Sequence, residues 1–419
     1  MNRSMVTELE CVVCGAVEKV SDGDAREQNW MTCAQCADQD GILDVHYDYD
    51  AVRAAWAKRP LSERPRNHWR YEELLPLAPK AVPHRWELGW TPVIDARQLA
   101  KDLGLRQIAF KDDGRNPSGS FKDRASSVGV AHALQVGAGT IACASTGNAA
   151  SSLACHAALA GLPARIFVPH TAPEPKLAQL LVYGATVYAV QGTYDQAYQL
   201  CSAACEQFGW YNRNCAINPV LVEGKKTGGL EIAEQSQSFG GVPDWVAVSV
   251  GDGCTIAGIW KGLVEMQTLG VIDRLPRLLG VQATGVAPII AALETGELPQ
   301  SVEGETLADS IDVAAPRNWR KAIRAMRDSQ GVMVGVSDDQ IIEAIRRGGR
   351  HGVFAEPAAA AALAGVVAAI EDKTIASADR VLVMVTGSGL KDTRSAIRAG
   401  GEPIKIPPDL AALASLEHE

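Results

Sequence analysis

Asn116-Pro117-Ser118-Gly119-Ser120-Phe121-Lys122-Asp123-Arg124 joins a turn, two small hydroxyl residues able to cap a helix, and a lysine in what would be that helix's first turn. The positive end of a helix dipole disfavours an ammonium there. It lowers the lysine pKa and leaves an amine that can attack an aldehyde. A lone lysine is ordinarily a solvated surface charge, so the reading depends on its company.

That company lies downstream. Ala144-Ser145-Thr146-Gly147-Asn148-Ala149 follows an apolar run and opens an alanine-rich one. Backbone N–H groups at such a start, with the hydroxyls of Ser145 and Thr146, suit the capture of a carboxylate, although an ordinary capped turn looks the same. In Val250-Gly251-Asp252-Gly253-Cys254-Thr255 the glycines let N–H groups cradle a phosphate. A dinucleotide fingerprint fits poorly, because Ile256 stands where its third glycine belongs. Thr386-Gly387-Ser388-Gly389-Leu390-Lys391-Asp392 closes the last apolar run and by itself is a plain glycine turn.

These turns punctuate a regular alternation. Residues 108–110, 141–144, 165–168, 186–190, 245–250, 278–282 and 381–386 read as strands, and 149–160, 194–208 and 358–370 are long enough for helices. Gly161 and Gly209 stand where helix stops belong. The pattern is that of βα units on a mostly parallel sheet, an α/β fold. At 419 residues the chain exceeds one ordinary core, so two lobes and an appendage are expected.

The appendage is N-terminal. Cys11-x-x-Cys14 and Cys33-x-x-Cys36 are two knuckles eighteen residues apart, the zinc-ribbon spacing in which four thiolates close a tetrahedral, structural site. Residues 50–90, rich in proline and isolated tryptophans, read as an exposed arm laid across a surface. A net charge of −9 provides no field for a polyanion, so neither nucleic acid nor an anionic membrane is an expected partner. No apolar stretch approaches the length of a bilayer span and the start lacks the apolar core of a signal peptide, so a cytoplasmic protein is expected. His132, His156 and His170 have no partners at triad-like spacing and read as ordinary polar residues; Cys143, Cys155, Cys201 and Cys205 read as small core hydrophobes.

Taken in order, these motifs resemble the threonine synthase family of fold-type II pyridoxal-phosphate enzymes. The resemblance takes in the four-cysteine knuckles, Trp69-Arg70-Tyr71, Gly119 to Arg124, Ser145 to Asn148, Glu223-Gly224-Lys225-Lys226-Thr227, Ala355-Glu356-Pro357-Ala358 and Thr386-Gly387. It implies two open twisted-sheet lobes behind a zinc-ribbon-like module, divided as 1–48 (cysteine module), 49–130 (arm and first part of the large lobe), 131–224 (small mobile lobe) and 225–419 (remainder of the large lobe). It implies Lys122 as the Schiff-base lysine, Asn148 on the cofactor's 3'-oxygen, Gly251, Asp252, Gly253, Cys254 and Thr255 around its phosphate, and Thr386 at its ring nitrogen. Ser145, Thr146 and Gly147 would hold the carboxylate of a small amino acid, with Cys215 at the substrate end. A homodimer, with the 50–90 arm at its interface, is implied as well.

One departure bears on the reaction. Members that use O-phosphohomoserine carry Asn-Ser-x-Asn-Pro-x-Arg-x-Glu-Gly, whereas Cys215, Ala216 and Leu221 occupy the three phosphate-binding positions here. Losing an arginine–phosphate contact costs on the order of 2 to 5 kcal/mol unless another cation, such as Lys225 or Arg213, moves in. The residues alone therefore favour elimination or replacement at Cβ or Cγ of an unphosphorylated amino acid over threonine synthase itself. An inactive scaffold keeping the fold is the third reading. Asp252 is an electrostatic oddity in a phosphate loop unless its carboxylate points away or caps a neighbouring turn.

Overall fold

The computed structural model describes residues 4–20, 30–36, 41–83, 85–172, 174–215, 217–410, 413 and 416. Strands β1 (Val6–Cys11), β2 (Val17–Lys19) and β3 (Leu43–Tyr47) come first, then β4 (Val93–Asp95) and β5 (Gln107–Asp112). β6 (Ile141–Ala144), β7 (Ala164–Pro169), β8 (Thr186–Val190) and β9 (Tyr211–Asn212) follow, and β10 (Trp245–Ser249), β11 (Arg277–Ala283), β12 (Val332–Val336) and β13 (Arg380–Val385) complete the set. They form three sheets: an antiparallel β2-β1-β3, a six-stranded β12-β11-β10-β13-β5-β4, and a four-stranded β8-β7-β6-β9. Both larger sheets are parallel except for the antiparallel edge strand β4. This is the fold-type II α/β architecture.

The expected strands and helices are found where their patterns lie. The helix Asn148–Ala160 stops at Gly161 and Tyr194–Phe208 stops at Gly209, both glycines left-handed. The alanine run lies in the buried helix Pro357–Glu371. The β12 strand was not anticipated, because Val332-Met333-Val334-Gly335-Val336 is a short apolar run without flanking signals of its own.

The arm is not an exposed strap. Trp69, Tyr71, Leu74 and Trp86 are buried in this chain's own core, the Trp69 indole N–H donates to Trp86 O at 2.9 Å, and Tyr71 and Arg70 both donate to Glu234. Of its tryptophans, Trp56 and Trp90 are half-buried. A proline-rich segment with few local hydrogen bonds is hard to distinguish by sequence from one held by tertiary packing.

Two helices at the centre position everything else. Lys122–Gln135 and Val220–Gln235 cross closely because Gly224 meets the backbone carbonyl of Arg124, where any side chain would overlap it. Gly229 does the same against Ile259 of the helix Cys254–Thr268. Between the first two helices lies a fully buried ion network. Arg124 donates to Glu231 at 2.6 and 2.8 Å and to Asp113 at 2.5 and 3.1 Å, and Lys111 donates to Glu231 at 2.7 Å. Burial opposes the Glu231 charge, but Arg124 and Lys111 outweigh it and hold the carboxyl well below its ordinary range.

The N-terminal sheet is fastened to the same helix. Tyr47 donates to Glu223 at 2.8 Å, Lys226 and Lys261 reach the same carboxylate at 2.5 and 2.6 Å, and Lys321 bonds Asp44 at 2.8 Å. Among the described residues no helix is long and apolar enough to cross a membrane.

Replacing Glu231 by Gln leaves buried Lys111 without a carboxylate and Arg124 with Asp113 alone. The variant is expected to lose about 3 to 5 kcal/mol of unfolding free energy in urea titration, and a loss below about 1 kcal/mol would mean that the network does not hold the central helices together.

Candidate active site

Lys122 is the first residue of its helix, as the sequence implied, but the expected cap is absent. The buried Ser118 and Ser120 hydroxyls have no partner, and the Asp123 carboxylate instead accepts from Ser118 N at 2.9 Å. The turn is fixed across the chain: Phe121 N donates to Thr386 O at 2.8 Å, Ser388 N donates to Gly119 O at 3.0 Å, and Ser120 bridges Gly387. This short antiparallel contact brings Thr386, at the end of β13, beside Lys122.

All the site residues inferred around the cofactor and substrate line one cavity of about 720 Å³ between the two parallel sheets. Lys122 opens into it. Ser145, Thr146, Gly147 and Asn148 enter at the end of β6, Gly251 to Thr255 at the end of β10, Thr386 from β13 and Cys215 from the turn after β9. Crevices at the carboxyl ends of parallel strands are where open α/β sheets bind ligands.

Among the described residues the Lys122 amine has no hydrogen-bond partner, and its pKa is lowered by burial and then by the positive charge of Lys225. No side chain caps the helix that begins at Cys254, so its leading N–H groups remain open to an anion. Asp252 does cap a neighbouring turn: its carboxylate accepts from Arg317 N at 2.8 Å and the Asn318 amide at 2.7 Å. Burial raises its pKa. The Ser145 hydroxyl accepts from Gly147 N at 3.2 Å and shapes that loop.

Three further side chains line the cavity: Glu356, which carried no expected role, and Arg213 and Lys225, the two cations the sequence offered in place of the missing arginine. Glu356, fully enclosed and raised in pKa by burial, accepts from the Asn148 amide at 2.7 Å. Its signal was Ala355-Glu356-Pro357-Ala358, a motif with no role attached. Arg213 donates to Ser126 at 2.9 Å and approaches Cys215 Sγ at 3.5 Å; Lys225 donates to Cys215 at 3.2 Å and also to Cys254. Burial works against the Lys225 charge, but the two sulfurs outweigh it and raise its pKa.

Leu221 does not line the cavity. It is fully buried against the Lys122 helix, with Cδ2 only 2.6 Å from where a Cβ on Gly129 would sit. Ala216 lies outside the described residues. His156 is no ordinary polar residue either: it bonds Asp123 at 2.9 Å within the core, and His132 bonds the Tyr211 hydroxyl at 2.9 Å. Each partner is too distant in sequence for spacing to reveal.

A family model described as pyridoxal-phosphate dependent enzyme matches residues 86–387. The threonine synthases of Methanosarcina acetivorans and Methanocaldococcus jannaschii are each 36% identical to this chain, the first over 97% of both chains, the second over 98% of this one and 99% of the relative. The chain belongs to the threonine synthase family of pyridoxal-phosphate-dependent lyases. Solved structures with the same fold include the processed form of threonine deaminase isoform 2 from Solanum lycopersicum, with TM-score 0.64, 23% identity and coverage of 74% of this chain and 87% of that one. Diaminopropionate ammonia lyase from Escherichia coli superposes with TM-score 0.64 at 19% identity, covering 74% and 86%.

The residues present fit the family's cofactor: the Lys122 amine, unpartnered among the described residues, an uncapped helix start and Thr386 line one cavity. Burial and Lys225 both disfavour the Lys122 ammonium, so the free amine persists to lower pH than in a solvated lysine. The rate at which apoprotein captures pyridoxal phosphate, followed by visible absorbance, is expected to rise with pH through a midpoint below the ordinary lysine range. A midpoint at the ordinary value would mean that the amine is solvated, and Lys122→Ala should capture none.

Proposed function

We propose that this chain acts as a threonine synthase, converting O-phosphohomoserine and water into threonine and inorganic phosphate. The observation that carries the reading is the pair of buried cations, Arg213 and Lys225, that face the cavity beside Cys215. A phosphate dianion needs fixed positive donors in a desolvated pocket, and an arginine with a lysine supplies them. The preference for an unphosphorylated substrate rested on Leu221 and Ala216 as apolar walls. Leu221 is packed in the core, so its lack of a donor says little about the pocket, and Lys225 stands one helical turn further along at i+4. The names of the two archaeal relatives support the same reading over nearly the whole chain.

In this reading Lys122 would hold the cofactor, the N–H groups from Gly251 to Thr255 its phosphate, Thr386 its ring nitrogen and Asn148 its 3'-oxygen. The Asn148 amide is held at 2.7 Å by Glu356. When bound, the cofactor supplies an electron sink for the charge that develops at the substrate Cα. Lys122 Nζ would take the Cα proton, as its lowered pKa allows. Ser145, Thr146 and Gly147 orient the substrate carboxylate, and Arg213 with Lys225 receives the phosphate at the other end. The retained lysine and its open cavity argue against an inactive scaffold.

Pyridoxal-phosphate-loaded protein given O-phosphohomoserine should release phosphate and form threonine in equal amounts, with Lys122→Ala as the blank. Lys225→Met should raise KM by about ten- to a hundredfold, the cost of one charge-assisted contact. Absence of phosphate release from a cofactor-loaded protein would direct the search to hydroxy- and diamino-acids, followed by 2-oxo acid and ammonia.

The same reading gives Cys11, Cys14, Cys33 and Cys36 one structural zinc ion. Their sulfurs all lie within 4.8 Å of one another, and Cys14 and Cys33 are 3.7 Å apart. That is close to the roughly 3.8 Å edge of a tetrahedron built on Zn–S bonds of about 2.3 Å. Metal analysis should find one zinc per chain and almost none in Cys11→Ser/Cys14→Ser; a metal-free wild type after zinc addition would refute the site.

A further inference from the structure

Two thiols in the cavity are not used by the reaction. Cys215 lies in the turn between β9 and the helix Val220–Gln235, and Cys254 is the first residue of the helix Cys254–Thr268. They come from different elements, yet the Lys225 ammonium donates to both sulfurs. Arg213 approaches Cys215 from another side at 3.5 Å. Cys215 is half-buried and lines the cavity, so a small solute can reach it, whereas Cys254 is only 4% exposed behind it.

We propose that Cys215 and Cys254 form an oxidant-sensitive thiol pair, in which hydrogen peroxide attacked by Cys215 leads to a disulfide that joins the substrate-side turn to the phosphate loop. The Cys215 thiolate attacks one peroxide oxygen. The O–O bond breaks, and the departing hydroxide takes a proton to become water and leaves a sulfenic acid. Cys254 then attacks that sulfur, the S–O bond breaks, and a second water leaves as the S–S bond forms. Two thiols are oxidised and one hydrogen peroxide is reduced, so electrons and atoms balance.

The roles follow from the surroundings. The neighbouring Cys254 thiol, then Lys225 and Arg213, hold the Cys215 pKa well below that of an ordinary thiol against the cost of burial, while Cys254, the more enclosed sulfur, is raised. A low-pKa sulfur open to a cavity attacks, and a protonated one beside it resolves. The remaining cysteines are differently placed. Cys11, Cys14, Cys33 and Cys36 cluster in the N-terminal module, and Cys143, Cys155, Cys201 and Cys205 are buried away from the cavity. The disulfide would remove both sulfur acceptors of Lys225 and pull the start of the Cys254 helix toward residue 215, closing the anion end of the cavity. The proposal concerns the thiols alone and does not depend on which substrate the cavity takes.

The test uses zinc- and cofactor-loaded protein treated with limiting hydrogen peroxide, then mapped by non-reducing peptide mass spectrometry. A peptide pair linking Cys215 to Cys254, lighter by two hydrogens and separated by dithiothreitol, is the expected product. In Cys254→Ser the reaction should stop at the sulfenic acid, and dimedone should label Cys215 about tenfold faster than any other cysteine. Oxidation beginning at the N-terminal cysteines, a linkage between other cysteines, or an unmodified Cys215 would each overturn the proposal. Because the wild-type map alone decides the linkage, a poorly folding variant does not rescue the idea.

Discussion

Arg124, Glu231, Lys111 and Asp113 form a charge network with no exposure to solvent, and the active cavity is built on top of it. Burying four charges is costly unless each is paired and hydrogen-bonded, and here Thr91 and Thr227 supply further partners to the cations and to Asp113. The consequence is positional. Arg124 is two residues beyond Lys122, so fixing its guanidinium between the Asp113 turn and the helix carrying Glu231 fixes where the lysine amine emerges.

The helix Val220–Gln235 serves three neighbours with three faces. Glu231 and Thr227 point into the charge network, Lys225 points into the cavity, and Glu223 with Lys226 receives the N-terminal module. Its glycines let it approach both flanking helices at backbone contact. A helix so constrained can hold a fully buried ammonium at the edge of a cavity, which a loop without that packing could not.

Much of this architecture is legible in the chain itself. The apolar runs and glycine stops locate most strands and helices, because periodicity and left-handed stops are local properties. Cys11, Cys14, Cys33 and Cys36 are paired by short spacing, and their sulfurs do converge. The motifs of the cavity could be picked out singly because each occupies one strand-to-helix turn. What misled was position without direction: Leu221 aligns with a phosphate-binding arginine, but its side chain is taken up by the groove beside Gly129. The 50–90 segment misled for the same reason, since Trp69 and Trp86 fill a core assembled from distant residues.

The sequence by itself determined the fold class and picked out Lys122, the glycine-rich turn after β10 and the thiol knuckles, since each rests on residues a few positions apart. Only the tertiary structure decided which charges meet. Arg213 and Lys225 join across twelve residues, Glu356 reaches Asn148 across 208, and Cys215 and Cys254 share one ammonium from separate elements. Coulombic and hydrogen-bond contacts act over a few ångströms in space whatever their separation in sequence, so the chemistry of the cavity emerges only when the sheets are packed.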